Sequence, residues 1–261
     1  MSNATELGLD LRINDHIAWI EINRTERRNS LTLEGLVALS ELVEDAEDND
    51  DVRVIVLSGA GGQAFCAGID MQALGSADMT KFPRPMKGNK RNPFERILEV
   101  NKPTIACIEG VCMGAGADIA LACDLRIGAQ GLRYAHSEAK VGMGANFSSV
   151  LLPRLLPRAL ALELLYTGRN LTEDEAILHG LFNRIVAADT LRDTVRTLSM
   201  TIAANAPLTI QRCKETATKT CGLPVSAALR LNVGPDPYSS QDRLEGVKAF
   251  KEKRPPVFQG R

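Results

Sequence analysis

The residues with the clearest chemical potential lie between Ile105 and Ile127, in the run IACIEGVCMGAGADIALACDLRI. A short apolar stretch, Ile105 to Ile108, passes through Gly110 to the small-residue turn Gly114-Ala115-Gly116, then to a segment of Ala, Ile and Leu. That order predicts strand, tight turn and helix. A small-residue turn at a helix N-terminus leaves backbone N–H groups free, where the helix dipole also favours negative charge. One carboxylate, Asp118, falls just inside the helix. Backbone donors that hold an oxyanion beside an acid or base are the chemistry such a turn serves. The bland alternative is a close-packed strand–helix corner whose first-turn carboxylate merely complements the dipole.

A second corner occurs at Phe65-Cys66-Ala67-Gly68-Ile69-Asp70-Met71, where the glycine bend offers another free N–H, that of Ile69. Tyr134 to Gly142 reads as a strand and turn carrying one carboxylate, Glu138, with Arg126 or Arg133 as its alternative structural partners. His136 reads as a strand residue. The glycines of Ser58-Gly59-Ala60-Gly61-Gly62 follow a buried strand but lack the G-x-G-x-x-G spacing and open no long helix, which argues against a dinucleotide site. Six cysteines without a C-x-x-C pair and three scattered histidines argue against structural zinc and a disulfide framework.

The elements that must position these residues follow from periodicity. Residues 9–23 alternate around Asn14-Asp15 and predict an antiparallel hairpin, and the polar loop after it, with Arg24, Arg27 and Arg28, reads by default as solvated. Thr32 precedes a helix with Leu36, Leu39, Leu42 and Val43 at helical spacing, ending in a solvated acidic patch from Glu44 to Asp51. Residues 52–57 form a β-branched buried strand, and 75–93, with Pro83, Pro85, Gly88 and Pro93, a long loop. Thr172 and Glu175 form a capping box. From Leu191 the pattern is purely helical. The expected division is an α/β core over 1–190 and a helical region over 191–261. A chain of 261 residues, 44% hydrophobic with net charge −1, has ample core and no strong field for nucleic acid or an anionic membrane. No secretory signal or spanning run is visible, so the expected location is cytoplasmic.

Five stretches together resemble the enoyl-CoA hydratase/isomerase, or crotonase, family: NRTERRNSL (23–31), FCAGIDM (65–71), GVCMGAGADIALACDLRI (110–127), SEAKVG (137–142) and EGVKAFKEKRPPVF (245–258). They cover nearly the whole chain in the family's order. The resemblance implies a spiral of ββα units with a C-terminal helical region that packs trimers, often paired as hexamers. It implies a CoA thioester substrate, no separate cofactor and no metal. The amides of Ile69 and Ala115 would hold the thioester oxyanion, and Asp118 and Glu138 would stand at the two carboxylate positions. Arg27, Arg28, Ala67, Gly68, Asp70, Met71 and Gly114 would lie along the CoA portion, with Phe250 and Lys253 approaching it across a subunit contact.

The departures are informative. Ala115 stands where the family usually has glycine, Ser137 where a proline precedes the glutamate, and Asp118 where hydratases carry a longer acid. The Asp–Glu pair is similar to the dienoyl-CoA isomerase branch, but that branch has a further aspartate where this chain has Asn146. An amide is no proton-transfer base near neutral pH. The leading expectation is an enoyl-CoA hydratase with Glu138 as principal acid/base and Asp118 orienting the water. The alternatives are a double-bond isomerase and a catalytically weak acyl-CoA-binding protein.

Overall fold

The computed structural model describes residues 2–75 and 91–261; most of the loop expected over 75–93 lies outside them. A short helix α1 (Ser2–Glu6) precedes the hairpin of β1 (Leu9–Asn14) and β2 (Ile17–Ile22), paired antiparallel with Leu9 opposite Ile22. Its turn is Asp15-His16, both at positive φ (52° and 63°), one residue later than the Asn14-Asp15 pattern suggests. Two such residues match the right-handed twist of the flanking strands. Helix α2 (Leu33–Asp48) starts as expected, with the Thr32 hydroxyl accepting the Gly35 N–H.

Three strand–turn–strand units follow. In the first, β3 (Val54–Gly59) turns into β4 (Ala64–Cys66) and the single turn α3 (Met71–Leu74). After α4 (Pro93–Glu99), β5 (Thr104–Ile108) turns through Gly110 into β6 (Val111–Met113) and α5 (Ala115–Ala122). The expected direct passage from the Ile105 strand to the helix is therefore corrected: a second short strand stands between them. In the third unit, β7 (Leu125–Ala129) turns into β8 (Arg133–Ala135) and a 3-10 turn over Glu138–Val141. The long strands lie in a six-stranded sheet ordered β1-β2-β3-β5-β7-β9, with β9 at Arg184–Val186. The short ones form a separate parallel sheet, β4-β6-β8.

Helices α6 (Asn146–Leu155), α7 (Arg158–Thr167) and α8 (Glu173–Leu178) complete the body, α8 starting at the predicted Thr172–Glu175 capping box. Then come α9 (Leu191–Ala203), α10 (Pro207–Lys219), α11 (Val225–Ala228) and α12 (Gln241–Glu252). The large sheet is buried on both faces. Ile20, Ile22, Ile55 and Leu57 point into the main core with α2 and α4, while Ile17, Val54, Val56 and Ile105 meet Leu191 and Val195 of α9. Parallel strands covered twice lose the alternation of a half-exposed sheet, hence the continuous apolar run at 54–57. The later helices are tied to this body by a 2.8 Å Lys214–Asp124 ion pair and by Arg53, which donates to the carbonyls of Ala203 and Phe258.

The acidic end of α2 departs from the solvated patch expected of it. Glu44 pairs with Arg96 and Arg91, and the hydrogen bond from Arg96 holds its carboxyl below the usual range. Glu47 accepts the Asn101 N–H. These acids fasten α2 to α4 and the segment after it.

One glycine fixes the seat of α5. A Cβ on Gly116 would stand 2.1 Å from the Cys66 carbonyl oxygen, a backbone atom of β4 that no rotamer change can move. Gly116→Ala is expected to lose roughly 1–3 kcal/mol of stability in urea unfolding through overpacking. At Gly35 of α2 the added methyl meets the tip of Leu31 and the Thr32 hydroxyl at 3.4 Å, ordinary contact distances, so Gly35→Ala is expected to be neutral or stabilising. Equal losses at the two positions would refute this account of the α5 seat.

Candidate active site

The small sheet assembles the site. Pairing of β4 with β6 and of β6 with β8 sets Cys66 beside Cys112 and Met113 beside Ala135. The segments leaving the three strand ends, 67–70, 114–118 and 136–138, thereby meet. Ligands in α/β folds commonly sit at strand carboxyl ends for this reason. The Gly114 N–H donates to the Ala135 carbonyl at 3.0 Å, and a Cβ on Gly68 would lie 3.7 Å from the Ala115 nitrogen.

Two backbone donors result. Ile69 forms a parallel bridge with Leu31, in which Leu31 donates to the Gly68 carbonyl and Asp70 donates to the Leu31 carbonyl. The Ile69 N–H lies on the other side of that bridge. Ala115 is the first residue of α5, so its N–H has no acceptor within the helix. Both residues line one cavity of about 160 Å³. Its walls are apolar, including Leu36, Phe94, Val141 and Phe147, and its polar end is Asp118 and Glu138.

Asp118 lies one turn into α5 from Ala115 and is buried; its N–H donates to the Gly114 carbonyl at 2.9 Å. Glu138 begins the 3-10 turn after β8. One oxygen of each carboxylate and one nitrogen of His136 lie within 4.8 Å of one another. A water bridging two oxygens with legs of about 2.8 Å at a roughly tetrahedral angle spans about 4.6 Å, so the two acids lie within the reach of one small bridging molecule. Burial, followed by the charge of Asp118, pushes the Glu138 carboxyl above its ordinary value; His136 acts in the opposite sense. Arg126 is spent on the carbonyls of Leu181, Ala120, Cys123 and Asp124 and does not pair with Glu138.

Among the described residues, the buried side-chain polar atoms without a hydrogen-bond partner are Asp118 Oδ1, His136 Nδ1 and Glu138 Oε2. All three belong to this cluster. Buried polar atoms are nearly always satisfied, so their concentration at one spot marks a binding and reaction site. Reading His136 as an ordinary strand residue needs correction. It follows β8, is 1% exposed, and its Nδ1 stands 3.4 Å from Asp118 Oδ1. No local signal in the sequence marked it, since the acid it meets lies 18 residues earlier. As a donor set the three residues are also of a kind that holds divalent ions.

The remaining expected residues divide. Asp70 accepts the N–H groups of Gln72 and Ala73 as the cap of α3 and pairs with Arg24 at 3.3 Å. Burial raises its carboxyl, but those amides and Arg24 outweigh it and hold it below its ordinary value. The Ala67 N–H is taken by the Arg28 carbonyl, while Met71 and Gly114 line the cavity. Arg27 is exposed and donates to Gln72 Oε1 at 2.8 Å; Arg28 is exposed beside the same corner. Phe250 and Lys253 are exposed on the tail helix, outside the cavity of this chain. The loop arginines are not uniformly solvated either: Arg24 joins the Ser30 carbonyl to Asp70, and buried Asn29 donates to the carbonyls of Ala60 and Ala64. The loop at 24–31 is a brace for the Gly68-Ile69 corner.

All six cysteines are free, and burial pushes the thiols of Cys66, Cys107 and Cys123 up to about 12, too high for a thiolate nucleophile near neutrality. The polar groups gathered at the cavity are the two carboxylates, the imidazole and the two amides.

Comparison with known proteins agrees with this geometry. The chain is 34% identical over 257 residues to (E)-benzylidenesuccinyl-CoA hydratase of Thauera aromatica, covering 97% of this chain and all of that protein. It is 34% identical over 264 residues to a carnitinyl-CoA dehydratase of Salmonella paratyphi A, covering 97% and 99%. The crystal structure of an enoyl-CoA hydratase from Mycobacterium tuberculosis H37Rv superposes with a TM-score of 0.86 at 29% identity, over 98% of this chain and 100% of that one. A Bacillus anthracis enoyl-CoA hydratase gives 0.85 at 28%, over 97% and 100%. The sequence profile of enoyl-CoA hydratase/isomerase matches residues 12–261. With the profile spanning residues 12–261, relatives 34% identical along nearly the whole chain and the same spiral of strand–turn–strand units, the chain belongs to the enoyl-CoA hydratase/isomerase family.

Proposed function

We propose that the protein is an enoyl-CoA hydratase, adding water across the 2,3 double bond of an enoyl-CoA to give a 3-hydroxyacyl-CoA. The observation that carries the reading is the pair of acids, Asp118 and Glu138, brought close together in the lining of a largely apolar cavity that Ile69 and Ala115 also line. The acyl chain lies against the apolar walls with its thioester oxygen between the two amides. Asp118 accepts a hydrogen bond from the water. Glu138 removes the water's proton as the oxygen bonds to the β-carbon, and the π electrons pass to the thioester oxygen. Glu138 then returns the proton to the α-carbon. Its raised pKa strengthens it as the base of the first half. Loss of one oxyanion donor typically costs about 3 kcal/mol of transition-state stabilisation, so the corners at 68–69 and 114–115 matter as much as the acids.

The names of two relatives, a hydratase and a dehydratase, both describe gain or loss of water. An isomerase needs the same amides but moves only protons. The exposed apolar residues of the later helices, among them Leu229 (82%) and Phe250 (85%), support a trimer in which Phe250 and Lys253 reach a neighbouring site.

Turnover of a panel of 2-enoyl-CoAs in ¹⁸O-labelled water tests the reading. Incorporation of label into the product supports hydration. Shifted double bonds or hydrogen exchange without label identify an isomerase, and no product from any substrate identifies an inert binder.

Glu138→Gln is expected to lower kcat by roughly 10²- to 10⁴-fold, the usual worth of a general acid/base. Since Glu138 must be ionised to act as base, kcat/KM should rise with pH through its raised pKa, placing the acid limb above the ordinary carboxylate range. Asp118→Asn removes the like charge that raises Glu138. In the residual activity of that variant, up to ~100-fold reduced, the acid limb should move to lower pH. A limb that stays fixed or moves upward would contradict the assignment.

A further inference from the structure

The side chains at the polar end of the cavity share a property that the carboxylate mechanism leaves unused. His136 is 1% exposed, and its Nδ1 stands 3.4 Å from Asp118 Oδ1, neither atom having a hydrogen-bond partner. Glu138 Oε2 is buried without a partner in the same way. One ligand-type atom from each residue lies within 4.8 Å of the other two. Zinc bonds of about 2.0–2.1 Å to nitrogen and about 2.0–2.2 Å to oxygen, at a tetrahedral angle, place those two atoms about 3.4 Å apart. The His136–Asp118 spacing is therefore that of two ligands on one ion. Glu138, at the start of the 3-10 turn, has the longer and less buried side chain with which to close the set.

The surroundings also suit a cation. The Arg126 guanidinium is committed to backbone carbonyls and leaves the two acids without a counter-charge from that side. Burial and the Asp118 charge both oppose a negative charge on Glu138, a cost that a divalent ion would remove. A metal on Nδ1 keeps the ring proton on Nε2, which lies 3.1 Å from the Tyr134 hydroxyl oxygen. Tyr134 is fully buried, edge-on to Phe182 and 3.3 Å from the Ala117 carbonyl, to which its hydroxyl donates. Metal-bound histidines almost always have such an outer partner.

We propose that Asp118, His136 and Glu138 form a divalent-metal site, taking zinc or a similar first-row ion through two carboxylates and one imidazole. The ion is not a cofactor of the reaction. It occupies the acids that otherwise handle the water, so the bound ion stops turnover. Binding is independent of the hydratase reading, and only its inhibitory consequence rests on that reading.

The test uses full-length, metal-free protein carrying Cys213→Ser, Cys221→Ser, His16→Gln and His179→Gln, which removes the exposed thiols and the other two histidines. Titration with Zn²⁺ alone, followed by calorimetry, is expected to show one ion bound per chain. Zinc X-ray absorption of that complex should show a shell of nitrogen and oxygen that includes one imidazole, which in this background is His136. Tyr134→Phe, which retains the buried ring, should weaken binding roughly 10- to 100-fold, as loss of an outer partner does. Asp118→Asn, His136→Gln and Glu138→Gln should each weaken it further than that. Zn²⁺ should raise the Tm of the parent and leave that of the three ligand variants unchanged. No binding by the parent, or binding that survives in all three variants, overturns the site. So does a zinc shell without imidazole, a result that holds even where a variant fails to fold. With a substrate in hand, Zn²⁺ should abolish turnover and a chelator restore it. Full turnover with the ion bound overturns the inhibitory role, whereas a metal-free protein that turns over no substrate counts against the hydratase reading alone.

Discussion

Parallel pairing of three very short strands is the constraint on which the site depends. β4, β6 and β8 are each three residues long, too short to bury much apolar surface themselves. They are held in register because each is the second half of a strand–turn–strand unit whose first half lies in the large, doubly covered sheet. The tight turns allow little slack. At Gly110, for instance, φ is +67° and a Cβ would stand 2.0 Å from the Gln63 carbonyl oxygen, so the backbone of one unit runs directly against the next. Gly116 does the same for helix and strand. Rigid approach of backbones, more than any side-chain contact, brings the Ile69 and Ala115 amides to one cavity.

The electrostatics follow from that placement. Two acids and an imidazole are gathered in one largely buried cluster, and the Arg126 guanidinium is engaged by backbone carbonyls rather than by these acids. Like charges in such a pocket separate in pKa, which is how one fold supports both acid and base chemistry near neutrality. The cost of three unsatisfied polar atoms there is offset by the extensive apolar cores of the rest of the fold. A concentrated cost of this kind is typical of sites where binding supplies the missing partners.

The loop at 24–31 shows how a polar stretch of sequence is misread without its neighbours. Three arginines, an asparagine and two threonine or serine hydroxyls suggest a solvated segment. In the fold, Asn29 is 1% exposed and bridges two carbonyls, and Arg24 ties Ser30 to Asp70. Asp70, expected along the CoA portion, is also the cap that starts α3. The acidic end of α2 was misread in the same way, since only tertiary packing brings Arg91 and Arg96 to Glu44.

Local chemistry was legible in the sequence wherever the determinant is short range. The hairpin, the Thr32 cap, the Thr172–Glu175 capping box and a buried strand, read at 52–57 and found at 54–59, depend on neighbours within a few residues. The family, and with it Glu138 and Asp118, was carried by five stretches in order. The second sheet was not legible, because three-residue strands have no measurable periodicity and Val111–Met113 resembles a continuation of its turn. Nor was His136 recognisable, since nothing local distinguishes a strand-end histidine from one that meets an acid 18 residues earlier. Its partner is supplied by the pairing of β6 with β8, which sets the end of β8 against the start of α5. Sequence alone determined which acids and which corners this protein has; the tertiary structure decided which atoms face one another, because that depends on how backbones far apart in the chain can approach.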